Sequence, residues 1–332
     1  MASDISSLRA EGRPCAPAAK SARREAETAE FADAVLKGLA RRPRSIPSRF
    51  LYDAAGSALF EEITKLKEYY PTRTETRLLQ DRGTEIAQAI GAVDILVEFG
   101  SGSSRKTSLL IEALDGLETY IPIDVSEAFL VEAAKRLATQ HDGLTISPLI
   151  ADFTKTGALP GAARGQKLGF FSGSTIGNLT HEEATAFLAN AARLLGRDSV
   201  FLIGVDLKKN LDILIPAYDD DDGVTAAFSL NMLGRINREL GGDFDITRFA
   251  HRAVYNEPEG RIEIYLESLA DQTVQVMGRD FSFRRDERIH TENSHKYSVR
   301  EFQALADATG WAPVRAWTDD DNLFSLHLLR CG

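Results

Sequence analysis

Cysteine is almost missing from this 332-residue sequence: there are two, Cys15 and Cys331. Two thiols near opposite ends build neither a disulfide framework nor a metal cluster, and neither is given a role. Histidine is sparse too, six residues scattered along the chain. The one stretch that opens like a zinc-protease helix, His181-Glu182-Glu183-Ala184-Thr185, lacks the second histidine, so no catalytic metal is expected. Long apolar runs are absent. None approaches the ~18 to 20 residues that cross a bilayer, and Met1 to Glu30 is polar, without the apolar centre of a signal sequence. Cytoplasmic residence with no membrane partner is the expectation. A basic excess is also lacking: 39 Lys and Arg stand against 49 Asp and Glu, a formal net charge of -10. Nucleic-acid phosphates would be repelled. The basic cluster Arg41, Arg42, Arg44 and Arg49 reads as the border of a helix end, and a small-molecule substrate is expected. The acidic run Asp219-Asp220-Asp221-Asp222-Gly223 fails the EF-hand register, since Tyr218 takes the first ligand position and Ser229 the last. It reads as a solvated helix start that complements the helix dipole.

What is present centres on Ile95-Leu96-Val97-Glu98-Phe99-Gly100-Ser101-Gly102-Ser103-Ser104-Arg105-Lys106-Thr107, an apolar run that breaks into a glycine turn and resumes as a helical pattern. Glycines at 100 and 102 let the backbone turn sharply and approach a ligand closely. Asp124 ends the next apolar run, 24 residues after Gly100, where a carboxylate can grip both ribose hydroxyls. A dinucleotide fingerprint needs a small residue three positions after the second glycine, and Arg105 stands there. The spacing from Gly100 to Lys106 is also wrong for a phosphate-cradling G-x-x-x-x-G-K-[ST] loop. An adenosyl ligand without a pyrophosphate remains. S-adenosylmethionine fits, and Glu98-Phe99-Gly100-Ser101-Gly102 resembles the first motif of class I methyltransferases. Asp152 and Phe153 follow the third strand, placed to accept from an adenine amino group and cover the ring; the plain alternative is a helix-capping Asp beside a core Phe.

From Asp94 strands and helices alternate: Ile95 to Phe99, Thr107 to Leu114, Tyr120 to Ile123, Glu127 to His141, Thr145 to Ile150, Leu168 to Ser172, Glu182 to Leu195 and Ser199 to Val205. Such alternation predicts a parallel sheet with helices on both faces and ligands at the carboxyl ends of its strands, where Gly100, Asp124, Asp152 and Gly173 all lie. The expected fold is α/β, a Rossmann-like class I methyltransferase sheet with a second, smaller substrate-binding domain. Residues 1–30 read as a flexible tail, 31–90 as the helical N-terminal part of the substrate domain, 91–207 as the methyltransferase core, and 208–297 as an inserted helix and β-rich part. Residues 298–332 read as a helix, opened by the capping box Ser298 to Glu301, and two strands completing the sheet. A helix from Ser57 through Leu66, a turn at Tyr69 to Thr74, a helix from Glu75 to Ile90 and another from Val224 to Leu240 complete the reading.

Three further segments stand out: Arg49 to Thr64 with Glu68 to Arg73; Phe171-Ser172-Gly173-Ser174-Thr175-Ile176-Gly177-Asn178-Leu179; and Thr291-Glu292-Asn293-Ser294-His295-Lys296-Tyr297. Together they resemble the histidine-specific Nα-methyltransferases of ergothioneine biosynthesis, the EgtD family, from about residue 35 to the C-terminus. The resemblance implies that Gly100, Gly102, Lys106, Asp124, Asp152, Phe153 and Gly173 hold S-adenosylmethionine. It implies that Tyr69, Asn178 and Tyr218 hold the α-amino and α-carboxylate groups of the substrate, that Tyr52 and Phe60 line the methyl-transfer pocket, and that Glu292 and Ser294 read the imidazole at the far end. Tyr52 and Asn178 are the catalytic candidates. Ile264 stands where the family often has methionine, beside the side-chain pocket. The implied activity is Nα-trimethylation of L-histidine to hercynine by a monomer, with the mono- and dimethyl amino acids as intermediates. The alternative is the same chemistry on another free amino acid or an indole amine.

Overall fold

The structure is a computed structural model that describes residues 17–102, 104–160 and 165–332. Cys15 and the first part of the expected tail lie outside them. Helix α1 (Pro17–Ala40) begins fourteen residues before the expected Phe31, so residues 17–30 are helical rather than tail. Alanine, glutamate, lysine and arginine dominate that stretch and favour helix strongly; what it lacks is the apolar stripe by which periodicity is read. Strand β1 (Arg44–Ser45) and a 3-10 turn at Ser48–Leu51 lead to α2 (Ala54–Ile63), whose first turn is capped by Asp53 accepting from Gly56 N at 2.8 Å. Helix α3 (Tyr70–Ile90) also starts earlier than read: Tyr70 and Pro71 are its first turn, where proline has no intrahelical N–H to lose.

The core then runs β2 (Ile95–Phe99), α4 (Arg105–Ala113), β3 (Thr119–Asp124), α5 (Glu127–Gln140), β4 (Thr145–Ile146), β5 (Leu149–Ile150), β6 (Lys167–Phe171), α6 (His181–Leu195) and β7 (Val200–Asp206). The single strand expected over Thr145 to Ile150 is two short ones, pairing with the start and end of β3. Beyond it come α7 (Leu211–Leu214), α8 (Val224–Leu240), β8 (Phe249–Asn256), β9 (Arg261–Ser268), β10 (Gln272–Val276), β11 (Arg279–Phe283), β12 (Arg288–His295), α9 (Val299–Asp307), β13 (Trp311–Thr318) and β14 (Phe324–Cys331). Asp220 is buried rather than solvated: its two carboxylate oxygens accept from Val224 N and Thr225 N, both at 2.8 Å, at the head of α8.

The large sheet has the order β13-β14-β7-β6-β2-β3-β4, with β5 beside β3. Strands β7, β6, β2 and β3 are parallel, and the hairpin β13–β14 closes the edge antiparallel to β7. Every residue of β2 is buried, as a central parallel strand covered on both faces requires. One face packs Val97, Phe99, Phe171 and Ile203 beneath α6 and α9; the other packs Leu96, Phe170 and Leu202 beneath α3 and α4. A second sheet, β1-β12-β9-β8, together with the hairpin β10–β11, shares a separate core with α1 and α8. The two sheets meet where Leu207, just past β7, bridges Tyr297, just past β12. No helix among the described residues is long and apolar enough to cross a membrane.

Helix α9 covers one face of the large sheet, and its capping box is complete: Ser298 Oγ accepts from Glu301 N at 3.2 Å and Glu301 returns the bond to Ser298 N at 2.7 Å. Ser298→Ala is expected to lower stability by about 1 kcal/mol, read as a lower urea midpoint at unchanged slope.

Candidate active site

The glycine turn folds back onto the end of β3. Gly100 N and Ser101 N both donate to Ile123 O, at 2.8 and 3.3 Å, and Gly100 and Gly102 take φ of +72° and +47°, the left-handed region that glycine enters without strain. Asp124 grips the same turn, Oδ2 accepting from Gly102 N at 3.0 Å and Oδ1 from Ser126 N at 2.9 Å. A Cβ on Gly100 would lie 3.5 Å from the Phe153 ring, while one on Gly102 would meet nothing within 4 Å. Phe153 is propped edge-on against Phe171 and Phe187, with centroids at 5.2 and 5.5 Å. The result is a slot with an open glycine side, an aromatic wall and a carboxylate at its end. Asp152 Oδ1 accepts from Thr154 N at 3.0 Å and Thr154 Oγ1 at 2.5 Å, and its other oxygen lies 3.5 Å from Lys155. Beneath the slot, the fully buried Glu98 accepts from Thr107 Oγ1 at 2.5 Å and from the Tyr120 hydroxyl, and desolvation pushes its carboxyl up to about 8.

Lys106 and Gly173 are brought together by a residue the sequence reading assigned only to a helix. Glu75 Oε2 accepts from Lys106 Nζ at 2.5 Å and from Gly173 N at 2.8 Å. Glu75 is 0% exposed. It occupies the buried stripe of α3 with Leu78, Leu79 and Ile86, and a carboxylate at an apolar position of a helical stripe was the signal available to find it.

On the other side of the cleft stands an aromatic wall. Ring centroids run Tyr52 to Phe60 at 5.6 Å, Phe60 to Tyr69 at 6.1 Å and Tyr69 to Tyr218 at 6.3 Å, with Phe228 5.4 Å from Tyr52. Burial raises the hydroxyls of Tyr52, Tyr69 and Tyr218 well above the ordinary tyrosine range, so they stay neutral. After burial, the charges that act on Tyr52 include both Glu292 and Asp124.

The floor on this side of the cleft is β12. Its pairing with β9 slips between His290 and Glu292, leaving Thr291 as a bulge, and the extra residue re-aims the side chains beyond it. Glu292 then pairs with Ile264 and Ser294 with Ile262; residues 292, 294 and 296 share one face by strand alternation. Glu292 Oε1 accepts from Asn178 Nδ2 at 3.1 Å. Desolvation pushes the Glu292 carboxyl up to about 7, with Lys296 pulling the other way. Gly177 lets Asn178 come this close: a Cβ there would sit 2.8 Å from His295 O. Asn178 and Glu292 are therefore neighbours, where the sequence reading had put them at opposite ends of the substrate. In histidine only two carbons separate the α-carbon from the nearer ring nitrogen, so amine and imidazole can be held from adjacent side chains.

Lys296, quoted in the motif but given no role, proves central. Its ammonium donates to Tyr218 Oη at 2.6 Å, Ser294 Oγ at 2.7 Å and Asp206 Oδ2 at 2.8 Å, and Tyr218 Oη lies 2.9 Å from Ser294 Oγ. Asp206 also accepts from the Tyr70 hydroxyl at 2.8 Å and from Lys209. Asp206, Lys209 and Tyr70 were not legible as site residues, because their partners lie on other elements.

A family model for histidine-specific, SAM-dependent methyltransferases matches residues 31–331. The chain belongs to that family. It is 41% identical over 300 residues to a histidine N-alpha-methyltransferase of Mycolicibacterium smegmatis, covering 89% of this chain and 92% of that one. It is 34% identical over 308 residues to Ergothioneine biosynthesis protein 1 of Neurospora crassa, covering 86% of this chain and 33% of that longer protein. Among solved structures, an S-adenosylmethionine-dependent methyltransferase from Clostridium acetobutylicum superposes with a TM-score of 0.50 at 12% identity, covering 82% of this chain and 98% of that one, a likeness of fold. The family's cofactor is S-adenosylmethionine. The slot fits it: glycines that leave room, Asp124 at the end of β3 and Phe153 as a wall.

Asp124→Ala is expected to lower S-adenosylmethionine affinity by two orders of magnitude or more in calorimetry, at ~1.5 to 3 kcal/mol per hydrogen bond to a charged group. Asn178→Ala and Tyr69→Phe should leave that affinity nearly unchanged and lower turnover. Loss of cofactor affinity in all three would place Asn178 and Tyr69 in the cofactor slot.

Proposed function

We propose that this protein methylates the α-amino nitrogen of free L-histidine three times, giving hercynine, a step of ergothioneine biosynthesis. The observation that carries this is the buried acceptor Glu292, which projects from β12 and is bonded to Asn178. Support comes from the relatives: the mycobacterial protein is named for this reaction and the Neurospora protein for this pathway.

Bound S-adenosylmethionine supplies an electrophilic methyl group on a positively charged sulfur. The amine must then arrive neutral, because an ammonium has no lone pair and would repel that charge. The chain's task is placement, and holding amine and methyl in a near-attack geometry is worth ~7 to 11 kcal/mol of barrier. Asn178 spends Nδ2 on Glu292, which leaves its Oδ1 to accept from the amine. Tyr52 and Tyr69 present neutral hydroxyls that orient the amine without adding charge, and Phe60 and Phe228 keep water from the transfer path. Glu292 accepts from an imidazole N–H beside the Tyr218–Ser294 pair. Ile264, opposite Glu292, shapes the side-chain wall and with it selectivity. Each transfer forms an N–C bond as the methyl leaves sulfur and gives a methylammonium. This releases a proton to solvent before the nitrogen can attack again. The third transfer leaves a quaternary nitrogen with no proton to lose, and the same pocket holds the successive amines.

The sign of the pH dependence follows from the environment of Glu292. Ionised, its carboxyl accepts an N–H much more strongly than the neutral acid does, and it loses its proton at about 7, so kcat/KM for L-histidine should rise with pH through that region. Glu292→Gln should remove this limb and leave only the slower rise owed to the substrate's own groups. Glu292→Ala should lower histidine methylation by roughly 10³-fold or more while its disadvantage toward leucine and phenylalanine shrinks, since a site with a buried acceptor rejects side chains without an N–H, which leave it unpaired, by ~10⁴-fold. Full histidine turnover in Glu292→Ala, followed by product mass spectrometry, would leave Glu292 structural and remove the physical basis of the assignment.

A further inference from the structure

Lys296 is completely enclosed, and its partners account for all three of its protons: Tyr218 Oη, Ser294 Oγ and Asp206 Oδ2. The Tyr218 and Ser294 oxygens each accept from the same ammonium, and they also lie within hydrogen-bond distance of one another. Only one of the two hydroxyl protons can lie in that mutual contact. The other must point elsewhere, and Ser294 shares its strand face with Glu292. A lone pair left on either oxygen stands beside a cation, and a second cation, Lys209, shares Asp206. An N–H or an imidazolium arriving at this pair would meet poor acceptors and like charge.

We propose that Lys296 is a positioning and specificity residue: by occupying both oxygens it turns the Tyr218–Ser294 pair into a hydrogen-bond donor toward the pocket. It thereby selects a ring that offers a bare nitrogen there and an N–H to Glu292. This inference rests on the histidine reading above and deepens it. Neutral imidazole meets both demands, a donor on one ring nitrogen and an acceptor on the other. The indole of tryptophan carries a single ring N–H and no bare nitrogen. It would satisfy Glu292 and leave the hydroxyl proton unpaired.

Lys296→Met tests this, because Asp206 keeps Lys209 and the Tyr70 hydroxyl as partners. The variant should bind S-adenosylmethionine as the wild type does, lose roughly 10- to 100-fold in kcat/KM for L-histidine, and lose much less for L-tryptophan. In a double-mutant cycle with Ser294→Ala the losses should be far from additive, since both changes remove the same donor. Additive losses, or equal losses for the two amino acids, overturn the proposal. A second measurement needs no variant: ring-¹⁵N-labelled L-histidine bound to the wild-type protein with S-adenosylhomocysteine should show one protonated and one bare ring nitrogen by NMR. Two protonated nitrogens overturn the proposal even if Lys296→Met does not fold. A wild type that methylates no histidine at all defeats the functional reading itself, and is thereby told apart from a failure of this inference alone.

Discussion

Everything in the cleft depends on one buried ionic cluster. Asp206 ends β7 of the large sheet, Lys296 follows β12 of the small one, Tyr70 opens α3, and Lys209 leaves the chain between the two sheets. Asp206 and the Lys296 and Lys209 side chains are almost wholly shielded from water. A single buried charge would be expelled or neutralised; here one carboxylate is met by two ammonium groups and a hydroxyl, and Asp206 is held below the usual carboxylate range. Breaking such a group by removing one partner costs about 3 to 5 kcal/mol. The cluster ties the end of β7 to the residue that follows β12 and so joins the two sheets. The adjoining Leu207–Tyr297 bridge continues the same junction in backbone hydrogen bonds.

The junction explains why the binding pocket is sharp rather than merely apolar. From Asp206 through Lys296, rigidity passes to Tyr218 and Ser294, and along the same strand face to Glu292 and its partner Asn178. Asn178 itself belongs to the loop after β6, in the large sheet. Both sheets thus contribute to one polar network, and the aromatic wall from Tyr52 to Tyr218 closes the remaining side. A site assembled this way holds its groups through packed elements at either end of every hydrogen bond, which is the condition for near-attack placement. The cost is a set of shifted groups: Glu292 is moved toward neutrality, and three tyrosines are kept from ionising.

The sequence was most informative where chemistry is local. The turn Gly100 to Gly102 and Asp124 at the next strand end announce themselves within a few residues, because a close backbone approach is encoded nearby; the motif from Thr291 to Tyr297 was picked out by resemblance, and its strand was not read. The strand–helix alternation likewise announced a parallel sheet with helices on both faces, though not its strand order. Two errors of extent came from reading apolar periodicity alone: α1 begins at Pro17 in a stretch of strong helix formers with no stripe, and Pro71 was taken as a turn although it sits in a first helical turn. The polar partners were the hidden part. Glu75 with Lys106 and Gly173, and Asp206 with Lys296, join residues far apart in the chain. Only Glu75 left a local trace, an acid on a helix stripe. The bulge at Thr291, which aims Glu292, depends on register with β9 and has no signature in the motif itself.

The central claim, that this junction builds a pocket for the amine of histidine, is tested most directly by mass spectrometry of products. The purified protein would be given S-adenosylmethionine and an equimolar panel of free amino acids that includes L-histidine, tryptophan, phenylalanine and leucine. The account predicts mono-, di- and then trimethylhistidine, with the methyl groups on the α-nitrogen and the other amino acids recovered almost unchanged. Methylation spread across the panel, or placed on the imidazole ring, would contradict it.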